Sequence, residues 1–205
     1  MQAVIPLFYL VLSYLIGAIP FGWLLCKGIK GVDIRKVVSG STGATNVSRV
    51  LGIKWAALTF VLDIGKGLCV VLLGRHLTGS SNWALAFGAA AIIGHCFPVY
   101  LMSKGGKGGA TTFGVALAIH PMMAIMAFIV WIGIAAVSRR ISLATMIAVL
   151  SFAIGNCIDN GSGGFDKVFF IALALLVVAM HHKNIKRLLD GTESKFTFGG
   201  GGQNA

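Results

Sequence analysis

The chain has 205 residues, of which 57% are hydrophobic and only 11% charged, with a formal net charge of +11 and a mean hydropathy of +0.88. This balance lies outside the range of soluble globular domains and excludes a separate soluble catalytic module. The cations fall in short gaps between apolar runs, which argues against a nucleic-acid-binding face and for membrane topology.

A helix needs about 20 residues to cross a hydrocarbon core of about 30 Å. Apolar runs fall at 4–26, 55–74, 83–102, 110–119, 122–137, 142–158 and 168–180. The first has no positive leader and no Ala-x-Ala site, so it reads as an uncleaved span. After it comes VSGSTGATNVSRVLG, residues 38–52, where Ser39, Ser41, Thr42, Thr45, Asn46 and Ser48 crowd around glycines and lead to Arg49. Small polar residues with glycines let backbone N–H groups converge on an anion, and an arginine adds a bidentate fork. The competing reading is a polar interfacial connector.

Within the second run, Asp63 and Lys66 stand three residues apart on one helical face, where pairing is expected. They read as a structural ion pair, or as the ion relay of a small anion transporter. The third run ends in GHCFPVY, where His95 can approach the polar segment that follows. That segment, SKGGKGG at 103–109, is not a Walker A loop, because Lys107 is followed by glycine. Its glycines permit close backbone approach, Lys104 and Lys107 supply point charges, and a helix opens behind them. The combination suits a phosphate monoester; a flexible positive turn is the alternative.

The fourth run would rise only about 15 Å and ends at His120-Pro121, so it reads as a short helix separate from the fifth. Arg139, Arg140 and Ser142 occupy the next polar turn. After the last run, HHKNIKRLLDGTESK forms a basic amphipathic helix, with His181 and Asn184 on one face and Glu193 beyond. The four cysteines, Cys26, Cys69, Cys96 and Cys157, lack CxxC spacing and read as small buried residues.

Lysines and arginines follow the odd-numbered runs: Lys27, Lys30, Arg35, Lys36, Arg49 and Lys54, then Lys104 and Lys107, then Arg139 and Arg140, then Lys183, Lys186, Arg187 and Lys195. The other side holds little beyond Arg75 and Lys167. The expectation is an all-α polytopic membrane protein of about seven transmembrane helices, N-terminus outside and C-terminus cytoplasmic. Residues 1–195 would form one domain and 196–205 a flexible glycine-rich tail. The acidic residues are too scattered for a metal site, and no cofactor is expected.

In this order, GSTGATNVSRVLG, GHCFPVYLMSKGGKGGAT and HHKNIKRLLDGTE resemble the three cytoplasmic motifs of the acyl-phosphate:glycerol-3-phosphate acyltransferases, the PlsY family of bacterial membrane enzymes. The resemblance runs from the first span through Glu193. It implies transfer of an acyl group from acyl-phosphate to the 1-hydroxyl of glycerol 3-phosphate at the cytoplasmic face of the bacterial inner membrane. Its products are lysophosphatidic acid and phosphate, and its role is the first step of phospholipid synthesis. Ser39, Arg49, His181 and Asn184 match the essential residues, with Ser39 either a nucleophile or a hydrogen-bond donor. Thr45, Asn46, Lys104, Gly105, Gly106, Lys107, Ser142 and Glu193 are the substrate-binding candidates. Ser41 stands where the family often has asparagine, and His182-Lys183 replaces a commoner Arg-Glu pair, which leaves open which histidine matters. Partners would be the two phosphorylated substrates and membrane lipids, with no nucleic acid; a monomer is compatible. Of the five histidines, none is followed by an HxxxxD pattern, the mark of another acyltransferase class.

Overall fold

The computed structural model describes residues 4–159, 161 and 163–196. Among the described residues it is helical and contains no strand. The helices are α1 (Val4–Ala18), α2 (Phe21–Lys30), α3 (Ala44–Leu51), α4 (Ile53–Thr78), α5 (Ser81–Cys96), α6 (Gly109–Ile119), α7 (Pro121–Ser138), α8 (Ile141–Ile158), α9 (Gly164–Met180) and α10 (His182–Leu189), with single 3-10 turns at Ile34–Lys36 and Val99–Leu101. The expected tail beyond residue 196 lies outside the described residues.

Among the described residues, five stretches are long and apolar enough to cross a bilayer: Pro6–Lys30, Ile53–Thr78, Ser81–Leu101, Pro121–Ser138 and Ile141–Ile158. A sixth is α9 with α10, bent by 60° at the junction, and α6 is a shorter apolar helix. An all-helical architecture is what a bilayer demands of a spanning chain, because each backbone group must be satisfied within its own segment. The first apolar run breaks at Ile19-Pro20, where proline cannot donate into the helix. The fourth forms its own helix, α6, separated from α7 by His120.

The helices form two compact units, and the division falls inside α6, after Val115. In the first unit α5 packs on α1 and α4, and α3 lies on α4. A Cβ at Gly17 would come within 2.1 Å of Ala91 O, and one at Gly94 within 2.2 Å of Tyr14 O. Small residues thus let the α1 and α5 backbones touch, the mode by which helices associate where lipid offers no hydrophobic drive. Tyr14 adds a hydrogen bond from its hydroxyl to Phe97 O at 2.8 Å. Beneath the 38–52 segment, Cys26, Ile34 and Val47 make a small buried core, covered by Trp23, Val50, Leu51 and Trp55.

In the second unit α8 packs on α7 and α9. Phe170 meets Phe152 edge-on at 4.8 Å between ring centres. His120, at the start of α7, has its Nε2 3.5 Å from Asp166 Oδ2 and its ring against Phe170. The cysteines divide: Cys26 and Cys96 are buried as expected, whereas Cys69 and Cys157 are exposed. Both exposed ones lie on spans, where a thiol facing lipid is as well accommodated as a buried one.

Candidate functional site

The 38–52 segment is a tight turn followed by a helix. Val47, Val50 and Leu51 give α3 one apolar side that sits on the small core. The turn before it carries Ser39 between two left-handed residues, Val38 at φ 49° and Gly40 at φ 68°. Gly40 N–H closes the turn on Val37 O at 3.0 Å. A β-branched residue in this region costs on the order of 1–3 kcal/mol and persists only where its surroundings enforce it.

Asn46 is one of those enforcers. It is 1% exposed, and its Nδ2 donates to the carbonyls of Ile34 (3.2 Å), Val37 (3.2 Å) and Ser41 (2.9 Å). The amide nitrogen of Asn46 thereby shapes the Ser39 turn. Thr45 is half-buried in the first turn of α3, and Arg49 is exposed on its last turn.

Arg35 grips Asp33 through Nε at 2.9 Å and Nη2 at 2.7 Å, and donates from Nη1 to Leu101 O at 3.2 Å. The hydrogen bond from Arg35 holds the Asp33 carboxyl well below the usual carboxylate range, and that effect exceeds the opposing cost of burial.

The glycine loop meets this turn directly. Thr42 N–H donates to Gly105 O at 3.4 Å, so the first two polar motifs are joined by backbone as well as by Arg35. The loop is conformationally demanding: Met102 (φ 50°), Ser103 (φ 62°) and Gly108 (φ 85°) are all left-handed. Ser103 N–H bonds Pro98 O at 3.0 Å and Gly106 N–H bonds His95 O at 3.0 Å. Glycine is required at 105 and 106, where a Cβ would come within 2.2 Å of His95 O and 2.0 Å of His95 Nε2 respectively. Lys104 is exposed and Lys107 half-buried. Behind the loop, the hydroxyls of Thr111 and Thr112 are buried in the first turn of α6 without a partner.

Asp63 and Lys66 do pair, at 2.8 Å, and His95 Nδ1 lies 2.9 Å from Lys66 Nζ. The placement of His95 against the glycine loop agrees with the expectation from its spacing.

In the second unit Arg139, the C-cap of α7, is left-handed at φ 55°. Ser142 in the first turn of α8 donates to Glu193 Oε1 at 2.6 Å. Asn184 Nδ2 reaches the same oxygen at 2.6 Å, and Arg187 Nε reaches Oε2 at 2.6 Å. The geometry follows from LLDGTE: Gly191, at φ 70°, turns the chain, and the N–H groups of Thr192 and Glu193 return to Arg187 O at 2.8 and 3.0 Å. Burial raises the pKa of the Glu193 carboxyl, but the donors Ser142, Asn184 and Arg187 outweigh it and hold the group below its ordinary value. Glu193 thus accepts from three of this chain's own side chains, Ser142, Asn184 and Arg187.

The helical spacing of His181 and Asn184 is interrupted. His181 stands at the α9–α10 break as the N-cap of α10, and Asn184 lies in the first turn beyond. The two remain together in burial, each 4% exposed, while His182 is exposed. His181 Nδ1 lies 2.7 Å from Val177 O, so a neutral ring carries its proton on Nδ1 and its lone pair on Nε2. Among the described residues no three of His, Cys, Asp and Glu gather at metal-ligand spacing.

A family profile described as glycerol-3-phosphate acyltransferase matches residues 7–191. The chain belongs to the glycerol-3-phosphate acyltransferase family. The glycerol-3-phosphate acyltransferase of Aquifex aeolicus (strain VF5) is 42% identical over 193 residues, covering 93% of this chain and 98% of its own. That of Desulforudis audaxviator (strain MP104C) is 43% identical over 202 residues, covering 97% and 99%. The crystal structure of PlsY, an integral membrane glycerol 3-phosphate acyltransferase in its glycerol 3-phosphate form, superposes with a TM-score of 0.88 at 39% identity, covering 94% of this chain and 96% of that one.

For a glycerol-3-phosphate acyltransferase chain, the sequence reading missed three supporting residues. Arg187 looks like one more interfacial cation until the Gly191 turn brings Glu193 to it. Asp33 and Arg35 are two residues apart, with no helical spacing to flag them, and their link to Leu101 is long-range.

Proposed function

We propose that this glycerol-3-phosphate acyltransferase takes its acyl group from an acyl-phosphate and passes it to the 1-hydroxyl of glycerol 3-phosphate, giving lysophosphatidic acid and inorganic phosphate, the first step of phospholipid synthesis. The observation that carries the reading is the junction of the Ser39 turn with the glycine loop through Thr42 and Gly105. The turn meets the loop that carries Lys104 and Lys107, with the buried hydroxyls of Thr111 and Thr112 in the helix that follows, a residue set suited to phosphorylated substrates.

In the proposed step the glycerol hydroxyl attacks the acyl carbonyl. A carbon–oxygen ester bond forms, the acyl–phosphate bond breaks, and phosphate departs with the electron pair. Donors and cations stabilise the oxyanion and the leaving group. Because phosphate leaves readily, no strong nucleophile–base dyad is needed. The hydroxyl proton goes to the substrate's own phosphate or to His181, whose Nδ1 contact with Val177 O turns the lone pair to Nε2. Ser39 serves as a hydrogen-bond donor, and Arg49 and Asn184 act with it at the reacting groups. Thr45, Lys104, Gly105, Gly106 and Lys107 bind substrate phosphate, and Ser142 contributes beside Asn184. Asn46 and Glu193 support the groups that do the contacting.

Residues 1–195 act as one catalytic domain. It crosses the bacterial inner membrane seven times, with α6 as the shortest crossing, the N-terminus outside and the site facing the cytoplasm. The one-sided distribution of lysine and arginine supports that orientation.

The test is to incubate the purified chain with glycerol 3-phosphate and either acyl-phosphate or acyl-CoA. Product from acyl-phosphate alone is expected. Product from acyl-CoA alone would overturn the donor assignment, product from neither would overturn the activity, and an acylated Ser39 would overturn direct attack.

A further inference from the structure

The most deeply buried ionisable cluster of the first unit has no part in the chemistry above. Asp63, Lys66 and His95 are 2%, 5% and 7% exposed and lie on the spanning helices α4 and α5. Lys66 Nζ is 2.8 Å from Asp63 Oδ1, 2.9 Å from His95 Nδ1 and 3.1 Å from Ile19 O. Lys66 thus hydrogen-bonds His95 Nδ1 and Ile19 O while pairing electrostatically with the Asp63 carboxylate. With Nδ1 accepting, a neutral His95 ring carries its proton on Nε2, and its orientation is set from behind by Lys66.

The other edge of that ring is what the glycine loop rests on. A Cβ at Gly106 would meet Nε2 at 2.0 Å, Cε1 at 2.6 Å and Cδ2 at 2.9 Å, so the ring occupies the space where residue 106 has no side chain. The His95 backbone carbonyl also accepts from Gly106 N–H at 3.0 Å. Downstream of the loop the same helix α4 holds the start of α6, since a Cβ at Gly67 would lie 2.3 Å from Thr111 O. The loop itself includes the left-handed residues Met102 and Ser103, a conformation that does not persist without support. An ion pair tied to a histidine ring and a backbone carbonyl, and seated against a loop, is arranged to hold rather than to carry ions.

We propose that Asp63, Lys66 and His95 are positioning residues for phosphate binding: Asp63 fixes Lys66, Lys66 fixes the plane and tautomer of His95, and His95 sets the path of Gly105 and Gly106. Lys104 and Lys107 are thereby held in place for the phosphate of glycerol 3-phosphate. This inference rests on the functional reading above, and it places control of acceptor affinity inside the membrane-spanning helices, behind the phosphate-binding surface.

The test uses the full chain in detergent micelles. Glycerol 3-phosphate binding is measured by calorimetry, and steady-state kinetics are measured with each substrate varied. His95→Asn keeps an acceptor for Lys66 but removes the ring edge. The double variant Asp63→Leu/Lys66→Met removes both buried charges together, which is far better tolerated than removing one. In either variant the Kd and KM for glycerol 3-phosphate should rise on the order of tenfold or more, as misplacement of a binding group by a fraction of an ångström does. The KM for the acyl donor should hardly move, and a purely structural role would lower the active fraction without that split. Unchanged glycerol 3-phosphate affinity in either folded variant would overturn the proposal, as would an equal rise for both substrates. A parent chain that binds glycerol 3-phosphate but acylates it from no donor would fail the functional reading alone, and the positioning proposal would still be decided by Kd. A parent chain that binds none would overturn both.

Discussion

Two buried carboxylates organise this cationic chain, and they do so differently. Asp63 sits inside α4, faces Lys66 and His95, and reaches the polar surface only through the ring that supports Gly106. Glu193 sits on an irregular segment after α10 and gathers Ser142, Asn184 and Arg187 directly. The first is anchored by two long helices and acts through a relay of side chains. The second is anchored by its own ligands, on a segment whose backbone a single glycine turn folds back. A buried carboxylate in a rigid frame is a brace, whereas one in a connector is the knot that makes the connector ordered. In a chain with 17 lysines and arginines and only six acids, each acid is available to fix cations that would otherwise repel one another.

The sharpest way to break the comparison is to remove one member of each cluster. Lys66→Met leaves Asp63 buried at 2% exposure without its ammonium, and loss of one partner from a buried pair costs about 3–5 kcal/mol. The expected result is a large drop in the thermal midpoint, followed by tryptophan fluorescence in micelles, with much of it recovered in Asp63→Leu/Lys66→Met. A double variant no more stable than the single one would show that Asp63 has another partner.

Gly106→Ala tests the brace at its far end. The new methyl would come within 2.0 Å of His95 Nε2, and either the ring or the loop must shift. The KM for glycerol 3-phosphate should rise on the order of tenfold to a hundredfold, with a smaller change in thermal midpoint than Lys66→Met produces. Combined with His95→Asn, which clears the space, the two effects should be strongly non-additive. Simple additivity would separate the loop from the buried cluster.

Glu193→Gln tests the knot. It weakens three hydrogen bonds and unpairs Arg187, which is partly solvated, so the expected loss is about 2 kcal/mol. The carboxyl is held below its ordinary 4.5, so its stabilisation is fully present above that value and is lost as pH falls through the lowered folded value. The midpoint of the parent chain should therefore be flat in this respect near neutrality and decline in acid, and Glu193→Gln should remove part of the decline. An unchanged acid limb would place the dependence elsewhere, with Asp33 the next carboxyl to examine.

Much of the fold was legible because bilayer physics writes it in composition. The apolar runs became helices, the first divided at Ile19-Pro20 into α1 and α2, and His120-Pro121 marked a true break. The polar motifs were legible as places, and Ser39 and Lys104 each lie beside a left-handed non-glycine residue in a short connector. What could not be read was the direction of individual side chains. Asn46 and Glu193 carry the residue types of substrate contacts, yet both turn inward to satisfy the chain's own groups. A buried amide or carboxylate goes to whichever partners desolvation leaves it, and that depends on contacts such as Asn46 with Ile34, twelve residues away. His181 and Asn184 share an environment as expected, but across a helix break that spacing alone could not anticipate.

The smallest effect isolates strain from charge. Val38 is 71% exposed, so its side chain contributes little packing, and its φ of 49° is one that a β-branched residue adopts reluctantly. Glycine is comfortable there but also loosens the unfolded chain, and these effects oppose each other. Relief of strain should win by about 1 kcal/mol or less. Val38→Gly is therefore expected to raise the thermal midpoint slightly while leaving the buried clusters around Asp63 and Glu193 untouched. Its effect on turnover is the more informative measurement. Asn46 clamps this turn from Ile34, Val37 and Ser41, and Ser39 stands between Val38 and Gly40. If the clamp alone fixes Ser39, turnover is unchanged and the strain is a by-product of a turn that has to pass close to the glycine loop. If turnover falls while stability rises, the valine itself restricts the turn, and rigidity at Ser39 is maintained at the expense of stability.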